Sequence, residues 1–225
     1  MSHRPVPPTG TALRRTGAAA FAVAGALFVL YPAARPYGDL DPATTAAAFS
    51  SPWWLASHLA AVLGFVLAGT GLVALFLRHR TTPLAVAAGT WWLGTALTVT
   101  YYGAETFALH ALGTGIEDPA LLARLAEAIR MGPAQVTVFA TGLVLLAAAG
   151  VLTAVALRSL HGAALPFAAG AVLFLPQFFA EPGFRVVHGT LLGLGCLLLA
   201  AHLARRPAAA PVATGPVAPP VPSAA

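Results

Sequence analysis

The sequence predicts an all-α fold: a polytopic membrane helix bundle of six transmembrane helices, with one short extracytoplasmic amphipathic helix. Three observations carry this reading. Hydrophobic residues make up 58% of the 225 and charged residues only 8%, and mean hydropathy is +0.81. A soluble domain carries about 25% charged residues, because its surface must be wetted, so lipid is the solvent this composition suits. Six apolar runs approach the length of about 20 residues that crosses a bilayer core: 16–34, 53–77, 83–109, 134–157, 164–180 and 186–204. The charges between these runs are sorted by side.

Taken in order, residues 1–13 read as a disordered cytoplasmic N-terminus, ahead of a six-helix domain spanning 14–206. The first run follows Arg14-Arg15 and ends at Tyr31-Pro32. A signal peptide cleaved near Ala34 would place Pro32 where a small side chain is wanted, so an uncleaved helix is expected. Ser51-Pro52, Asp118-Pro119 and Glu181-Pro182 mark helix starts, because a proline in the first turn loses no hydrogen bond. Ser51 and Asp118 are also good N-caps. In the segment 119–130, Leu121, Leu122, Leu125 and Ile129 share one face, opposite Arg124, Glu127 and Arg130. That pattern predicts an amphipathic helix lying on the outer surface. The fifth run, with Pro166 and Pro176, is among the weakest. The Pro/Ala-rich tail 207–225 has no periodicity and is expected to be a disordered cytoplasmic extension.

With the N-terminus inside, the inner segments hold Arg4, Arg14, Arg15, Arg78, Arg80, Arg158, Arg205 and Arg206 and no acid. The outer segments hold Arg35, Arg124, Arg130 and Arg185, with Asp39, Asp41, Glu117, Asp118, Glu127 and Glu181. The excess of inner arginines satisfies the positive-inside rule and places both termini in the cytoplasm.

The basic pI of about 10.4 does not point to nucleic acid, since the arginines sit at the ends of apolar runs. The chain has no lysine and no asparagine, a codon bias expected of a GC-rich bacterial genome. Its single cysteine, Cys196, excludes an intramolecular disulfide. Small residues at helical spacing, Ala60/Gly64/Ala68 and Gly189/Gly193, predict close helix packing, within the chain or between copies.

Ionisable groups inside a span raise a functional hypothesis. With a rise of about 1.5 Å per residue, His58, His188 and Glu105 all fall in the outer layer of the bundle. Gln135 and Gln177 join them there, whereas His79, His161 and His202 read as interfacial on the cytoplasmic side. Pro52-x5-His58 and Pro182-x5-His188 set two imidazoles at matching positions on helices running the same way. Glu105 and His110, five apart, diverge by about 140° on a regular helix. Trp53, Trp54, Tyr101 and Tyr102 suit an aromatic belt.

Several functions share this layer. His58, Glu105 and His188 are the candidate ligands of a zinc, iron or copper site, and His58 with His188 the candidate axial pair of a haem. Glu105, His58 and His188 are also the candidate acid–base residues of a lipid-modifying enzyme open to the outer leaflet. Ion or proton transport is disfavoured, because the mid-plane lacks polar groups. The leading expectation is an accessory or structural protein of the cell membrane whose polar His/Glu layer bonds helices together. No cofactor is assigned. The expected partners are the lipid bilayer and a second copy or another membrane protein.

Overall fold

The computed structural model describes residues 9–205, and every regular element over that range is helical. The expected tail 207–225 lies outside the described residues. Part of the N-terminal segment is helical, since α1 runs Thr9–Ala34 and so begins ahead of position 14. There follow α2 (Thr45–Ser50), α3 (Pro52–His79), α4 (Thr82–Gly103), α5 (Leu109–Gly115) and α6 (Pro119–Met131). The chain closes with α7 (Pro133–Ala156), α8 (His161–Val172) and α9 (Pro182–Ala204).

Four helices, α1, α3, α7 and α9, are long and apolar enough to cross a membrane. Two of the expected runs depart from plain helix. The run 164–180 is α-helical only to Val172, and Pro176–Phe179 forms a separate 3-10 turn; a proline supplies no N–H to continue the α ladder. The run 83–109 is α-helical to Gly103, and Ala104–Ala108 then winds as a π-helix that leads into α5.

The caps form as their residue types dictate. The Ser51 hydroxyl accepts from the Trp53 N–H at 3.2 Å, and the Asp118 carboxylate accepts from the Ala120 N–H at 2.9 Å. Each satisfies one of the four N–H groups that a helix start leaves free.

The core is built around α1, which packs between α3 and α9. Phe21, Ala24, Phe28 and Tyr31 are buried there with Phe65, Leu72, Leu192 and Cys196. Gly25 of α1 and Gly193 of α9 face each other so closely that a Cβ on either would lie 2.8 Å from the other's carbonyl oxygen. The small-residue stripe on α9 therefore serves packing within the chain, where close backbone approach gains dispersion contacts.

One end of the bundle, the arginine end, is tied through α9. Arg78 donates to the carbonyls of His202 and Leu203 at 3.1 and 3.0 Å, acceptors left open by the end of that helix. The His79 and His202 Nε2 atoms are 3.1 Å apart, one donating to the other. At the opposite, acidic end, a second cluster of Phe49, Trp54, Leu109, Leu122 and Ala126 seats α6 against α2, α3 and α5.

Candidate functional site

The acidic end holds a cavity of about 570 Å³. It collects the last turn of α1 (Tyr31) and the loop after it (Arg35, Tyr37, Asp39, Leu40), His58 of α3, and Tyr101, Tyr102 and Glu105 around the end of α4. Arg130 of α6 and the segment from Phe178 to Arg185 complete the wall. This volume lies within the ordinary range of small-molecule sites, about 300–1,000 Å³.

The π-turn places Glu105. An inserted residue widens the helix, so Leu109 N–H reaches back five residues to Ala104. The Glu105 carbonyl accepts from the Trp54 indole N–H at 2.9 Å, and the Thr106 hydroxyl donates to the Tyr102 carbonyl at 2.6 Å. π-Turns recur at functional sites because they re-aim side chains. Glu105 lines the cavity, whereas His110 lies outside it, its Nδ1–H donating to the Phe49 carbonyl at 2.7 Å.

Around Glu105 stands a buried ion cluster. Arg130 binds Glu105 through two contacts, Nη2 to Oε1 at 2.8 Å and Nε to Oε2 at 3.2 Å, and reaches Asp39 at 2.8 Å. Arg35 holds Asp39 at 2.8 Å and lies 3.9 Å from Glu105. Both arginines also face aromatic rings, Arg35 over Trp54 at 5.2 Å and Arg130 over Phe49 at 5.1 Å, contacts that suit the planar guanidinium. Burial pushes the Asp39 carboxyl up, but Arg35 and Arg130 outweigh it and hold the group below the usual carboxylate range. Burial likewise acts against the charge on Arg35, and its surroundings, Asp39 and Glu105 among them, outweigh that as well.

His58 is 1% exposed. Its Nδ1–H donates to the Trp54 carbonyl at 2.7 Å, a bond that fixes the tautomer. Nε2 is buried, has no hydrogen-bond partner among the described residues, and lies 3.9 Å from Glu105 Oε1. A neutral His58 thus presents a lone pair at the cavity wall, between the rings of Trp54 at 4.2 Å and Tyr31 at 5.8 Å. The buried Arg35 Nε is also without a partner among the described residues.

Of the three residues singled out in the sequence, the structure joins His58 and Glu105 and sets His188 apart. His188 Nε2 is bonded to the Gly170 carbonyl at 2.7 Å, and its ring abuts Phe174 in a tight crevice. The three do not form one ligand set, and among the described residues no three His, Cys, Asp or Glu side chains are grouped to hold a metal ion. The expected haem pair is likewise divided: His58 faces the cavity while His188 is committed to a backbone carbonyl. The aromatic belt is corrected too. Trp54 and Tyr102 are core residues, whereas Trp53 is 59% exposed. Arg130, expected on the polar face of its helix, turns inward.

Arg35, Asp39, Arg130 and Arg185 were not singled out as site residues. The signal was present in the sorting of charges: three of the four outer arginines line this cavity. No protein-family model, curated protein or solved structure matches this chain.

Proposed function

We propose that this chain is an integral protein of the cytoplasmic membrane that binds a small polar ligand, or a polar headgroup, in a cavity open to the extracytoplasmic side. Six crossings complete the bundle in this reading. Helix α4 with its π-turn, and α8 with the 3-10 turn after it, add to the four long apolar helices. Helix α6 lies along the outer surface as an amphipathic segment, and both termini are cytoplasmic. The arginine sorting supports that orientation.

The observation that carries the proposal is the His58 nitrogen: buried, without a partner among the described residues, and beside a cavity lined by arginines, carboxylates and tyrosines. A buried polar atom without a partner costs roughly 1–3 kcal/mol. An unmet acceptor beside a cavity of this size supports a ligand that donates to it. The same geometry supports a second reading, acid–base catalysis. The Trp54 carbonyl holds the ring in the form whose Nε2 can take a proton.

The test is access from outside. Leu40 lines the cavity and is 80% exposed. In intact cells, a membrane-impermeant maleimide should label Leu40→Cys on a Cys196→Ala background. Labelling only after lysis would place the cavity on the cytoplasmic side and overturn the reading.

A further inference from the structure

Beside the polar cavity, on the outer face of the bundle, lies an apolar groove of about 260 Å³. Leu173, Pro176, Ala180, Phe184, Val187 and Leu191 line it, with Gln177 and His188 the two polar side chains in its wall. It exists because the chain leaves the α-helix after Val172 and crosses to α9 through the 3-10 turn, which leaves the start of α9 uncovered. Phe184 and Val187 are 69% and 66% exposed, so the groove presents to whatever surrounds the bundle. The groove and the cavity meet at Ala180, which lines both.

The charge in the cavity is not evenly answered. Asp39 and Glu105 are engaged by Arg35 and Arg130. Arg185 donates instead to two uncharged carbonyls, Ala180 at 2.9 Å and Phe178 at 2.8 Å, and has no carboxylate within 4 Å among the described residues. Its guanidinium carbon is 5.6 Å from the Tyr37 ring, which Arg35 approaches at 5.7 Å. Glu181 also lines the cavity, but it is exposed and makes no such pair. What remains is one cation with N–H groups to spare, the partnerless Arg35 Nε, and the His58 acceptor. An oxyanion with several acceptor oxygens and a hydroxyl donor complements that set.

We propose that cavity and groove together hold one phosphate-bearing lipid, its phosphate headgroup on Arg185 in the cavity and its tail in the groove along α9. The proposal rests on the ligand-cavity reading above and adds the ligand's chemistry. A phosphomonoester on a tail supplies the anion, a P–OH donor in its singly ionised form, and the apolar stem, and cavity and groove adjoin at Ala180. The lipid arrives from the leaflet, so no soluble path is needed.

The experiment uses the full chain purified in detergent micelles and three probes. These are dioleoyl phosphatidic acid, dioleoylglycerol with the same tails and no phosphate, and glycerol 3-phosphate with no tail. Native mass spectrometry and thermal shift read the binding. Phosphatidic acid should bind saturably and at least about tenfold more tightly than either fragment, the worth of a charge-assisted contact. Arg185→Gln should weaken phosphatidic acid by about tenfold and leave dioleoylglycerol unchanged. Val187→Trp, which fills the groove, should weaken both lipids and spare glycerol 3-phosphate. Glu181→Gln should tighten phosphatidic acid, and it keeps the test alive if the Arg185 variant does not fold. Equal binding of dioleoylglycerol, or indifference of phosphatidic acid to the Arg185 and Glu181 variants, overturns the phosphate assignment. Tight glycerol 3-phosphate binding that ignores Val187→Trp overturns the lipid assignment in favour of a soluble phosphate. Either failure leaves Leu40→Cys labelling from outside intact, whereas failure of that labelling removes the cavity reading itself.

Discussion

Replacing Arg130 by methionine keeps the apolar stem of the side chain and removes its fork. The fork makes three contacts, at 2.8 Å to Asp39 and at 2.8 and 3.2 Å to Glu105. Without it, two carboxylates share Arg35 alone, which is 2.8 Å from one and 3.9 Å from the other. Burial decides the magnitude. The Arg130 side chain is 13% exposed and the carboxylates are 5% and 9% exposed. This places the change among buried pairs, where removing one partner costs about 3–5 kcal/mol, rather than surface pairs worth about 0–1 kcal/mol. Unfolding in mixed micelles titrated with sodium dodecyl sulfate should show that loss. The diagnostic is the double variant: adding Glu105→Gln removes the orphaned charge, so Arg130→Met with Glu105→Gln should be more stable than Arg130→Met alone. A coupling of about 0.5–3 kcal/mol is expected for groups in direct contact. A cost below about 1 kcal/mol, or a double variant less stable than Arg130→Met alone, would show that the cluster is not a buried ion network.

The cluster also sets a pH dependence. The Asp39 carboxyl is depressed in the folded state, so the stability it contributes is fully present above its unfolded value of about 4 and is lost as pH falls through the depressed folded value. A profile of unfolding midpoint against pH should fall on that acid limb, and Asp39→Asn should flatten it. Gly193→Ala should destabilise by about 1–3 kcal/mol through overpacking, because its Cβ would sit 2.8 Å from the Gly25 carbonyl oxygen. The same unfolding assay reads it, and an unchanged midpoint would show that α1 and α9 separate freely.

Much of the fold was legible because lipid and water impose simple patterns. Ser51-Pro52 and Asp118-Pro119 announce helix starts through capping chemistry that is local to a few residues, and the caps form as expected. The stripe Gly189/Gly193 announces close approach; the partner it meets, α1, is a tertiary fact no local pattern contains. The π-turn was hidden because nothing in Ala104–Ala108 marks it by residue type. It is stabilised from a distance, by the Trp54 indole on the Glu105 carbonyl. The same reason separates His58 from His188. Both follow a proline by six residues and both are buried, but one leaves its Nε2 without a partner at the wall of the polar cavity and the other bonds the Gly170 carbonyl. Which of two equivalent histidines is free depends on the neighbour, and the neighbour is distant in sequence. Arg130 was misplaced for a related cause: helical periodicity assigns a side chain to a face, while two acids on other elements draw it inward.

Ligand binding at the acidic end requires a polar, water-reachable space beside an apolar flank. Nitroxide labels on a Cys196→Ala background, at Tyr101→Cys in the cavity wall and Val187→Cys in the groove, test this in bilayers by power saturation. The account predicts that the label at position 101 collides mainly with a water-soluble nickel chelate and the label at 187 mainly with dissolved oxygen. The reverse pattern, or chelate contact at neither position, would contradict it.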